Sequence, residues 1–165
     1  MDTKELVIRR ANADDVTKIA HIEERCFPTA EAASFKSFLE RFMAFPECFF
    51  VAESDGKVVG QINGCVTDSP SLPDALYHNT SLHQKDGAWQ TVFGIAVLPE
   101  YQHQGIARAL MGHFKKEVQA RGKQGIVLTC KKEKIGFYES LGFEWKGISD
   151  SSHGGAEWND MVLCF

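Results

Sequence analysis

The chain has 165 residues, of which 44% are hydrophobic and 24% are charged, so it can bury a core and is not of the disordered class. The formal net charge is −4 with no basic run, and no apolar run approaches the length of about 20 residues that crosses a bilayer. Nucleic acid and membrane are therefore not expected partners. Residues 1–20 carry charges throughout and no signal-peptide segment, which predicts a cytoplasmic protein.

The cysteines do not form a pattern typical of disulfides or metal sites. Their number is odd, and no pair has the spacing of a metal site. Reduced and mostly buried thiols are the expectation for a cytosolic chain. The sequence thus predicts neither a bound metal nor a disulfide among Cys26, Cys48, Cys65, Cys130 and Cys164.

The first third of the chain predicts a strand followed by two helices. Leu6–Arg10 alternates weakly, as a strand does. Asn12 or Asp14 is a suitable cap for the first helix, and Ser34 for the second, which Pro46 would end. The second helix carries apolar residues at helical spacing, and this pattern favours a core face over a ligand pocket.

The middle of the chain predicts a hairpin, a long loop and a buried strand. CFFVAES and KVVGQINGCV flank Asp55-Gly56, a pair typical of tight hairpin turns. Residues 68–87 are polar and contain two prolines, so they predict a functional loop or a mobile one. Residues 88–97 form an apolar run rich in β-branched and aromatic side chains, which predicts one buried strand.

The last third alternates between helices and strands. Residues 105–121 carry apolar side chains at a spacing of four, and Gly122 is a natural stop. The order of elements is that of a mixed α/β fold in a single domain over residues 1–165. The remaining elements are predicted as a strand at 126–130, a helix at 133–141, strands at 143–148 and 158–165, and a flexible link at 151–155.

The segment EYQHQGIARAL, residues 100–110, joins the apolar run to the following helix without a Ser, Thr, Asp or Asn cap. A helix N-terminus offers unpaired N–H donors and a partial positive charge, so an anion can take the place of a cap. Gly105 allows close approach of the backbone, and Arg108 adds a cation. The pattern predicts a phosphate site, and an ordinary strand-to-helix turn is the alternative.

Three segments resemble the GNAT superfamily of acetyl-CoA-dependent N-acetyltransferases. They are VFGIAVLPEYQHQGIARALM, GIVLTC and IGFYESLGFEWKG, in the order that the family has them. The resemblance covers about the last half of the chain. It implies a mostly antiparallel sheet of six to seven strands, splayed between the fourth and fifth strands and flanked by about four helices. It also implies acetyl-CoA as co-substrate.

The resemblance implies a role for the backbone of the central strand and for the backbone of the turn. The backbone of the turn would hold the pyrophosphate of coenzyme A, and the strand would run beside the pantetheine arm. A backbone N–H near Ile95 would face the thioester carbonyl and stabilise the charge that develops on it. The coenzyme-binding residues are then Ile95, Ala96, Val97, Gln102, His103, Gln104, Gly105, Ile106, Ala107 and Arg108.

Tyr138 lies where the family places its general acid, the group that protonates the departing sulfur. A core tyrosine whose hydroxyl meets a backbone carbonyl is the alternative. Cys130 ends the strand that precedes it, which raises the idea of an acetyl-cysteine. A core thiol is favoured there, because the family reaction is direct transfer.

A finer resemblance is to the arylalkylamine N-acetyltransferase branch, in HIEERCF, TSLHQKDG, LTCKKEKIGFYESLGFEWKG and GAEWNDMVLCF. That branch carries two histidines on the central strand, where this chain has Thr91 and Phe93. The base that accepts the amine proton is left open. Six histidines, Glu23, Glu24 and a water chain are candidates, and a solvated helix face is the favoured interpretation of the two glutamates.

The expected activity is therefore transfer of acetyl from acetyl-CoA to a primary amine. The many aromatic side chains of the second helix and the long loop favour a small apolar or aromatic amine. Acetylation of a protein or peptide is one alternative, and a long ordered loop would argue against it. A non-catalytic acetyl-CoA-binding regulatory module is another. The protein is expected as a monomer or homodimer.

Overall fold

The computed structural model describes residues 5–165 as two compact units. The first comprises the described residues up to Asn63 together with Gly94–Phe114, and the second comprises Gly64–Phe93 and Lys115–Phe165. In chain order the elements are β1 (Leu6–Arg10), α1 (Val16–Cys26), α2 (Phe35–Ala44), β2 (Phe49–Ser54), β3 (Lys57–Asn63), β4 (Val66–Thr67), α3 (Ala75–His78), β5 (Trp89–Val92), β6 (Gly94–Val97), α4 (Ile106–Ala120), β7 (Gly125–Cys130), α5 (Ile135–Ser140), β8 (Glu144–Ile148) and β9 (Asn159–Cys164).

The first unit is built on a four-stranded antiparallel sheet in the order β1-β2-β3-β6. Asp55 and Gly56 take positive φ angles in the β2–β3 hairpin, as expected of that pair. α1 packs on β3, β6 and α2. The core of this unit includes the fully buried side chains Ile19, Ile22, Phe38, Phe49 and Ile62.

The start of each of the first two helices follows from its sequence. Asn12 accepts a hydrogen bond from the N–H of Asp14 and completes a capping box with Asp15, in a single 3-10 turn that runs into α1. The Ser34 hydroxyl accepts from the N–H of Ser37 and so caps α2. The apolar stripe of α2 is only partly core, because Phe38 is buried whereas Met43 is 77% exposed.

The second unit is built on a five-stranded sheet in the order β4-β5-β7-β9-β8. β5 and β7 are parallel, and the other pairs are antiparallel. Trp89, Val127 and Val162 pack together in its core. The link predicted as flexible is a further 3-10 turn, His153–Gly155.

The single strand predicted for residues 88–97 is wrong. The chain forms two strands there, interrupted at Phe93, and they belong to different sheets. β5 takes β7 as its parallel partner, while β6 pairs with β3. The sequence of this run cannot reveal such a change of partner, because neither half carries a signal for the distant strand with which it pairs.

The mixed α/β class is confirmed, but the numbers of helices and strands differ from the expectation. Residues 5–165 form five helices instead of about four, and nine strands in two sheets instead of one sheet of six to seven strands. Part of the difference is the divided central strand, and part is the two-residue strand β4. The division of the central strand and the strand β4 both lie within longer predicted segments, so the sequence pattern did not separate them.

None of the helices in the described part of the chain is long and apolar enough to span a membrane. None of the five cysteines, all within residues 5–165, forms a disulfide: Cys48, Cys65 and Cys130 are buried, Cys26 is half-buried and Cys164 is exposed.

Candidate functional site

The turn before α4 has the backbone geometry of an anion site. After β6 the chain makes a 3-10 turn at Pro99–Tyr101, and His103 and Gly105 then take left-handed φ angles of 62° and 82°. The N–H of Ala109 donates to the carbonyl of Gly105 at 3.0 Å. The N–H groups of residues 105–107 precede that bond, so helix geometry gives them no carbonyl within the helix. They are available to a phosphate.

The side chains of this turn leave its mouth open. Residues 102–105 are exposed, whereas Ile106 is buried and anchors the helix start. The Gln102 side chain turns inward, where its amide donates to the Val97 carbonyl at 2.9 Å. Gln102 therefore ties the turn to the end of β6, a role that leaves its backbone as the ligand-facing part.

β6 is an edge strand of its sheet. It pairs with β3 on one side, with Ile95 opposite Ile62 and Ala96 opposite Gln61. An edge strand presents backbone N–H and C=O groups along its other side, and a ligand with amides can pair with them. The strand that contains Ile95, Ala96 and Val97 can therefore pair with the amides of a pantetheine arm, as the resemblance implies.

Glu23 lies next to the beginning of β6. A Cβ placed on Gly94 would be 3.5 Å from Glu23 Oε1, so the bare backbone of this glycine brings the carboxyl group close to the strand. Glu23 is only 7% exposed, and its Oε2 accepts from the N–H of Ala33 at 2.9 Å. The interpretation of Glu23 as a solvated residue is therefore wrong, whereas it holds for the exposed Glu24.

Buried polar side chains connect Glu23 to α2. Gln61 Nε2 donates to Glu23 Oε1 at 3.4 Å, and Asn63 Nδ2 donates to Gln61 Oε1 at 2.8 Å. Arg41 Nη1 donates to Asn63 Oδ1 at 3.4 Å. The sequence pattern did not predict this group. The available signal was the pair of amides two residues apart in the otherwise apolar strand KVVGQIN, a spacing that places both on one face.

Tyr138 lies on α5 in the second unit and is 7% exposed. Burial raises the pKa of its phenol well above the ordinary value, and Cys130 and Tyr77 raise it further. Its hydroxyl has no hydrogen-bond partner among residues 5–165. The structure therefore does not contain the alternative, which is a core tyrosine whose hydroxyl bonds to a backbone carbonyl. The phenol stays protonated at neutral pH, as a proton donor must.

Cys130 is a buried thiol at the end of β7. Burial raises its pKa to about 11, with a smaller contribution from Glu133. The thiolate is the nucleophilic form of cysteine, so this residue is almost entirely unreactive at neutral pH. The geometry gives no support to an acetyl-cysteine.

Thr91 and Phe93, at the positions of the branch's histidines, both have structural partners. The Thr91 hydroxyl accepts from the N–H of Cys65 at 3.0 Å, and Thr91 is fully buried. The Phe93 ring packs on Tyr77, with 4.8 Å between the ring centroids. Neither side chain can accept a proton from an amine.

The long loop of residues 68–87 is ordered and docked within the second unit. It contains α3, from which Tyr77 stacks on His153 with ring centroids 5.1 Å apart. The Tyr77 hydroxyl lies 3.3 Å from the Thr129 hydroxyl. Asp74 accepts hydrogen bonds from Ser151 Oγ and from the N–H of Ser152. The expectation of a mobile loop is thus not met, and a functional role for the loop stays a prediction.

The histidines are divided between structural and exposed positions. His83 Nδ1 accepts from the N–H of Val66 at 3.0 Å, and the His113 ring packs on Phe50. His103 lies in the turn and His21 on the outer face of α1, both exposed. His78 and His153 belong to the Tyr77 cluster. No group of His, Cys, Asp and Glu among residues 5–165 is arranged to hold a metal ion.

Residues 46–145 match the acetyltransferase (GNAT) domain family. The chain belongs to this family, and the matched segment contains β6, the turn, β7 and Tyr138. It is also 32% identical to an N-alpha-acetyltransferase of Sulfurisphaera tokodaii over 97% of this chain and 92% of that protein. It is 31% identical to human N-acetyltransferase 8B over 62% of this chain and 40% of that protein.

Solved structures of this family have the same fold. A GNAT-like decarboxylase, GphF in complex with isobutyryl-CoA, superposes with a TM-score of 0.84 at 18% identity, over 96% of this chain and 98% of that chain. The ribosomal-protein-S18-alanine N-acetyltransferase of Escherichia coli superposes with a TM-score of 0.72 at 25% identity, over 97% and 94% of the two chains. The first similarity supports the fold alone.

Proposed function

We propose that residues 1–165 act as a single acetyltransferase domain that moves the acetyl group of acetyl-CoA directly to a primary amine. The observation that carries this proposal is the turn between β6 and α4. It combines two left-handed residues, an exposed mouth and the backbone N–H groups of residues 105–107 ahead of the first helical hydrogen bond. These features fit a pyrophosphate, which needs several converging N–H donors and a positive helix end.

The backbone of residues 102–108 binds the pyrophosphate in this proposal, and β6 binds the amides of the pantetheine arm through its open edge. The co-substrate supplies an activated acyl group as a thioester. The reaction forms a bond between the amine nitrogen and the acetyl carbon and breaks the bond between that carbon and sulfur. The chain must therefore take a proton from the amine and give one to the sulfur.

Glu23 is the base in this proposal, and Tyr138 is the acid. Glu23 offers a buried carboxyl group beside Gly94, at the start of the strand that the thioester would follow. A carboxylate there attracts the ammonium form of the acceptor and accepts its proton. Tyr138 offers a protonated phenol with a raised pKa and no competing hydrogen bond among residues 5–165. The neutral Cys130 thiol takes no part.

The acceptor that we favour is a small apolar or aromatic amine. The resemblance to the arylalkylamine branch supports it, and so does the ordered loop of residues 68–87. That loop presents Tyr77, which stacks on His153 and packs at a tilt against Phe93. A docked loop leaves less freedom for an extended peptide than an open groove would.

The second candidate acceptor is the α-amine of a protein or peptide. The similarity to an N-alpha-acetyltransferase over 97% of the chain favours it. The fold shared with the ribosomal-protein-S18-alanine N-acetyltransferase is in keeping with it. The free thiols fit a reducing compartment, so we infer a cytoplasmic location for either reaction.

The two acceptor classes are distinguished by one matched comparison. Purified protein is given acetyl-CoA with 2-phenylethylamine or with a hexapeptide that begins with alanine, and the release of coenzyme A thiol is followed. We expect a higher kcat/KM for the arylalkylamine. A higher value for the peptide would move the acceptor to the second class. Acetyl-CoA binding without turnover on either would instead indicate a regulatory module.

A further inference from the structure

Four buried polar side chains form a continuous group that we call the buried relay: Arg41, Asn63, Gln61 and Glu23. They are 5%, 1%, 0% and 7% exposed, and all four belong to the first unit. The relay begins at a guanidinium on α2, passes two amides on β3 and ends at a carboxyl group on α1. Burying so many polar groups raises the free energy of the folded state unless their hydrogen bonds are satisfied, so we asked what the relay does for the site.

The relay has a direction, and Arg41 sets it. A guanidinium has only donors, so Asn63 must turn its oxygen toward Arg41 and its NH2 group toward Gln61. Gln61 must then accept with its oxygen and donate with its NH2 group to Glu23 Oε1. Every bond points from the cation toward the carboxyl group.

The direction matters because the side-chain amide of Asn or Gln can turn either its oxygen or its NH2 group toward a given neighbour. If both amides turned round, the oxygen of Gln61 would face Glu23 Oε1. Two acceptors can meet only when one carries a proton, and the carboxyl group would be the one to bind it. The observed direction instead presents a donor to Glu23, which favours the ionised form.

We infer that Arg41, Asn63 and Gln61 are positioning residues, which hold Glu23 as a carboxylate by fixing the direction of the hydrogen bonds that reach it. This inference rests on the proposed role of Glu23 as the base in acetyl transfer. A buried carboxyl group otherwise tends to bind a proton, and a protonated Glu23 cannot accept one from an amine. The relay offsets that cost of burial.

The other charged groups around Glu23 do not replace the relay. On its own helix, Glu24 and His21 are exposed, and the half-buried Cys26 thiol has a pKa raised by burial and by the charge of Glu23. Asp15, at the start of that helix, is paired with Arg9. β6 contains no ionisable residue, and β3 contains only Lys57, at its far end.

The test measures the pKa of Glu23 directly. The side-chain carboxyl carbons of glutamate are labelled with carbon-13 and titrated by NMR, and the signal of Glu23 is assigned by its loss in Glu23→Gln. Arg41→Met removes the donor-only cation, and its apolar side chain can pack on the Phe38 ring that Arg41 now covers. Arg41→Lys keeps a donor-only cation and is the matched control.

We expect Arg41→Met to raise the pKa of Glu23 by about one unit or more and Arg41→Lys to leave it near the wild-type value. Asn63→Leu breaks the relay at its centre and should raise the pKa in the same way, which keeps the test valid if Arg41→Met does not fold. An unchanged pKa in the folded Met and Leu variants would overturn the inference.

The same variants connect the relay to turnover. The acidic limb of the pH–rate profile should move to higher pH in Arg41→Met and stay in place in Arg41→Lys. If the wild-type protein acetylates no amine, the proposed function fails, but the carboxyl titration still decides whether the relay fixes the charge of Glu23. The two failures are therefore distinguishable.

Discussion

At the scale of single residues, the proposed chemistry depends on two groups with unusual surroundings. Glu23 is a carboxyl group enclosed by hydrogen-bond donors, and Tyr138 is a phenol enclosed by apolar neighbours. Perturbed ionisable groups are frequent at catalytic sites, although structural networks perturb them as well. Each assignment therefore needs a variant that removes the chemistry and keeps the shape.

For Tyr138, that variant is Tyr138→Phe. The ring contacts with Phe137 and Phe143 remain, and only the hydroxyl is deleted. Loss of a general acid typically lowers the rate by about 10²–10⁴-fold. We expect a fall in kcat of this size with an almost unchanged dissociation constant for acetyl-CoA, measured by calorimetry. A variant that keeps nearly full kcat, where chemistry limits the rate, would return Tyr138 to the core.

For the base, the matched pair is Glu23→Gln and Glu24→Gln. The first keeps the size of a buried side chain and removes its charge, while the second changes an exposed neighbour. We expect kcat to fall by about 10²–10⁴-fold in Glu23→Gln and to stay near wild type in Glu24→Gln. Steady-state rates over a range of pH give the comparison. If one His→Gln change abolished an ionisation near pH 6.5, typical of histidine, a histidine would be the base instead.

At the scale of elements, the turn between β6 and α4 makes the sharpest prediction. A Cβ at Gly105 would meet no heavy atom within 4 Å, so Gly105→Val has space, but it places a branched side chain on a backbone with φ of 82° and at the mouth of the turn. We expect acetyl-CoA binding to weaken by about 1–3 kcal/mol, the scale of a lost charge-assisted hydrogen bond. Calorimetry measures this directly.

The control for Gly105→Val is Gly112→Ala, within α4, the helix that follows the turn. A Cβ there also meets no heavy atom within 4 Å, and the residue is remote from the turn in sequence. Its affinity for acetyl-CoA should match that of the wild type. Equal affinity in the wild type, Gly112→Ala and a folded Gly105→Val would remove the turn from the binding site.

The junction of β1 and α1 predicts how stability depends on pH. Burial raises the pKa of Asp15, but its hydrogen bonds with Arg9 and Asn12 outweigh burial and leave it below the usual value. A lowered pKa in the folded state means that this stabilisation is present above about pH 4 and is lost as the pH falls through the folded-state pKa.

We therefore expect Arg9→Met to lower the free energy of unfolding by about 1–3 kcal/mol at neutral pH, because it leaves a buried carboxylate with fewer partners. The deficit should shrink in acid, where Asp15 is protonated in either protein. Urea unfolding at several pH values measures it, with the exposed Arg10→Met as control. A deficit that is constant with pH, or equal in the control, would contradict the argument.

Local sequence signals predicted most elements closely. β1 has the predicted bounds, the Ser34 cap is present, and the Asp55-Gly56 hairpin forms. These features depend on neighbouring residues, so a short stretch of sequence contains the information. The division of the central strand at Phe93 depends on which distant strand pairs with each half, and the sequence pattern does not encode that choice.

The site shows the same contrast. The residues of the turn could be predicted as a binding site because their motif is contiguous in sequence. The buried relay was missed because Glu23, Arg41 and Gln61 come from three elements and meet only in the fold. Glu23 was assigned to a solvated face because a glutamate on an amphipathic helix usually has that position.

At the scale of the whole molecule, the chain has the fold of its family, and we propose that it uses an acid and a base of its own. The family membership, the open edge of β6 and the turn describe how a thioester co-substrate can be held. Thr91 and Phe93 cannot accept a proton from an amine, and Glu23 with its relay is the base that we propose. The acceptor class is the remaining difference between the candidate enzymes.

The most direct test of the central claim is to incubate the purified protein with acetyl-CoA that carries a deuterated acetyl group and a set of small amines and peptides, and to analyse the products by mass spectrometry. We predict a labelled amide on a primary amine, with one free coenzyme A thiol released for each amide formed and no lasting label on the protein. A bound co-substrate with no labelled amide on any amine, or label retained on Cys130, would contradict the account.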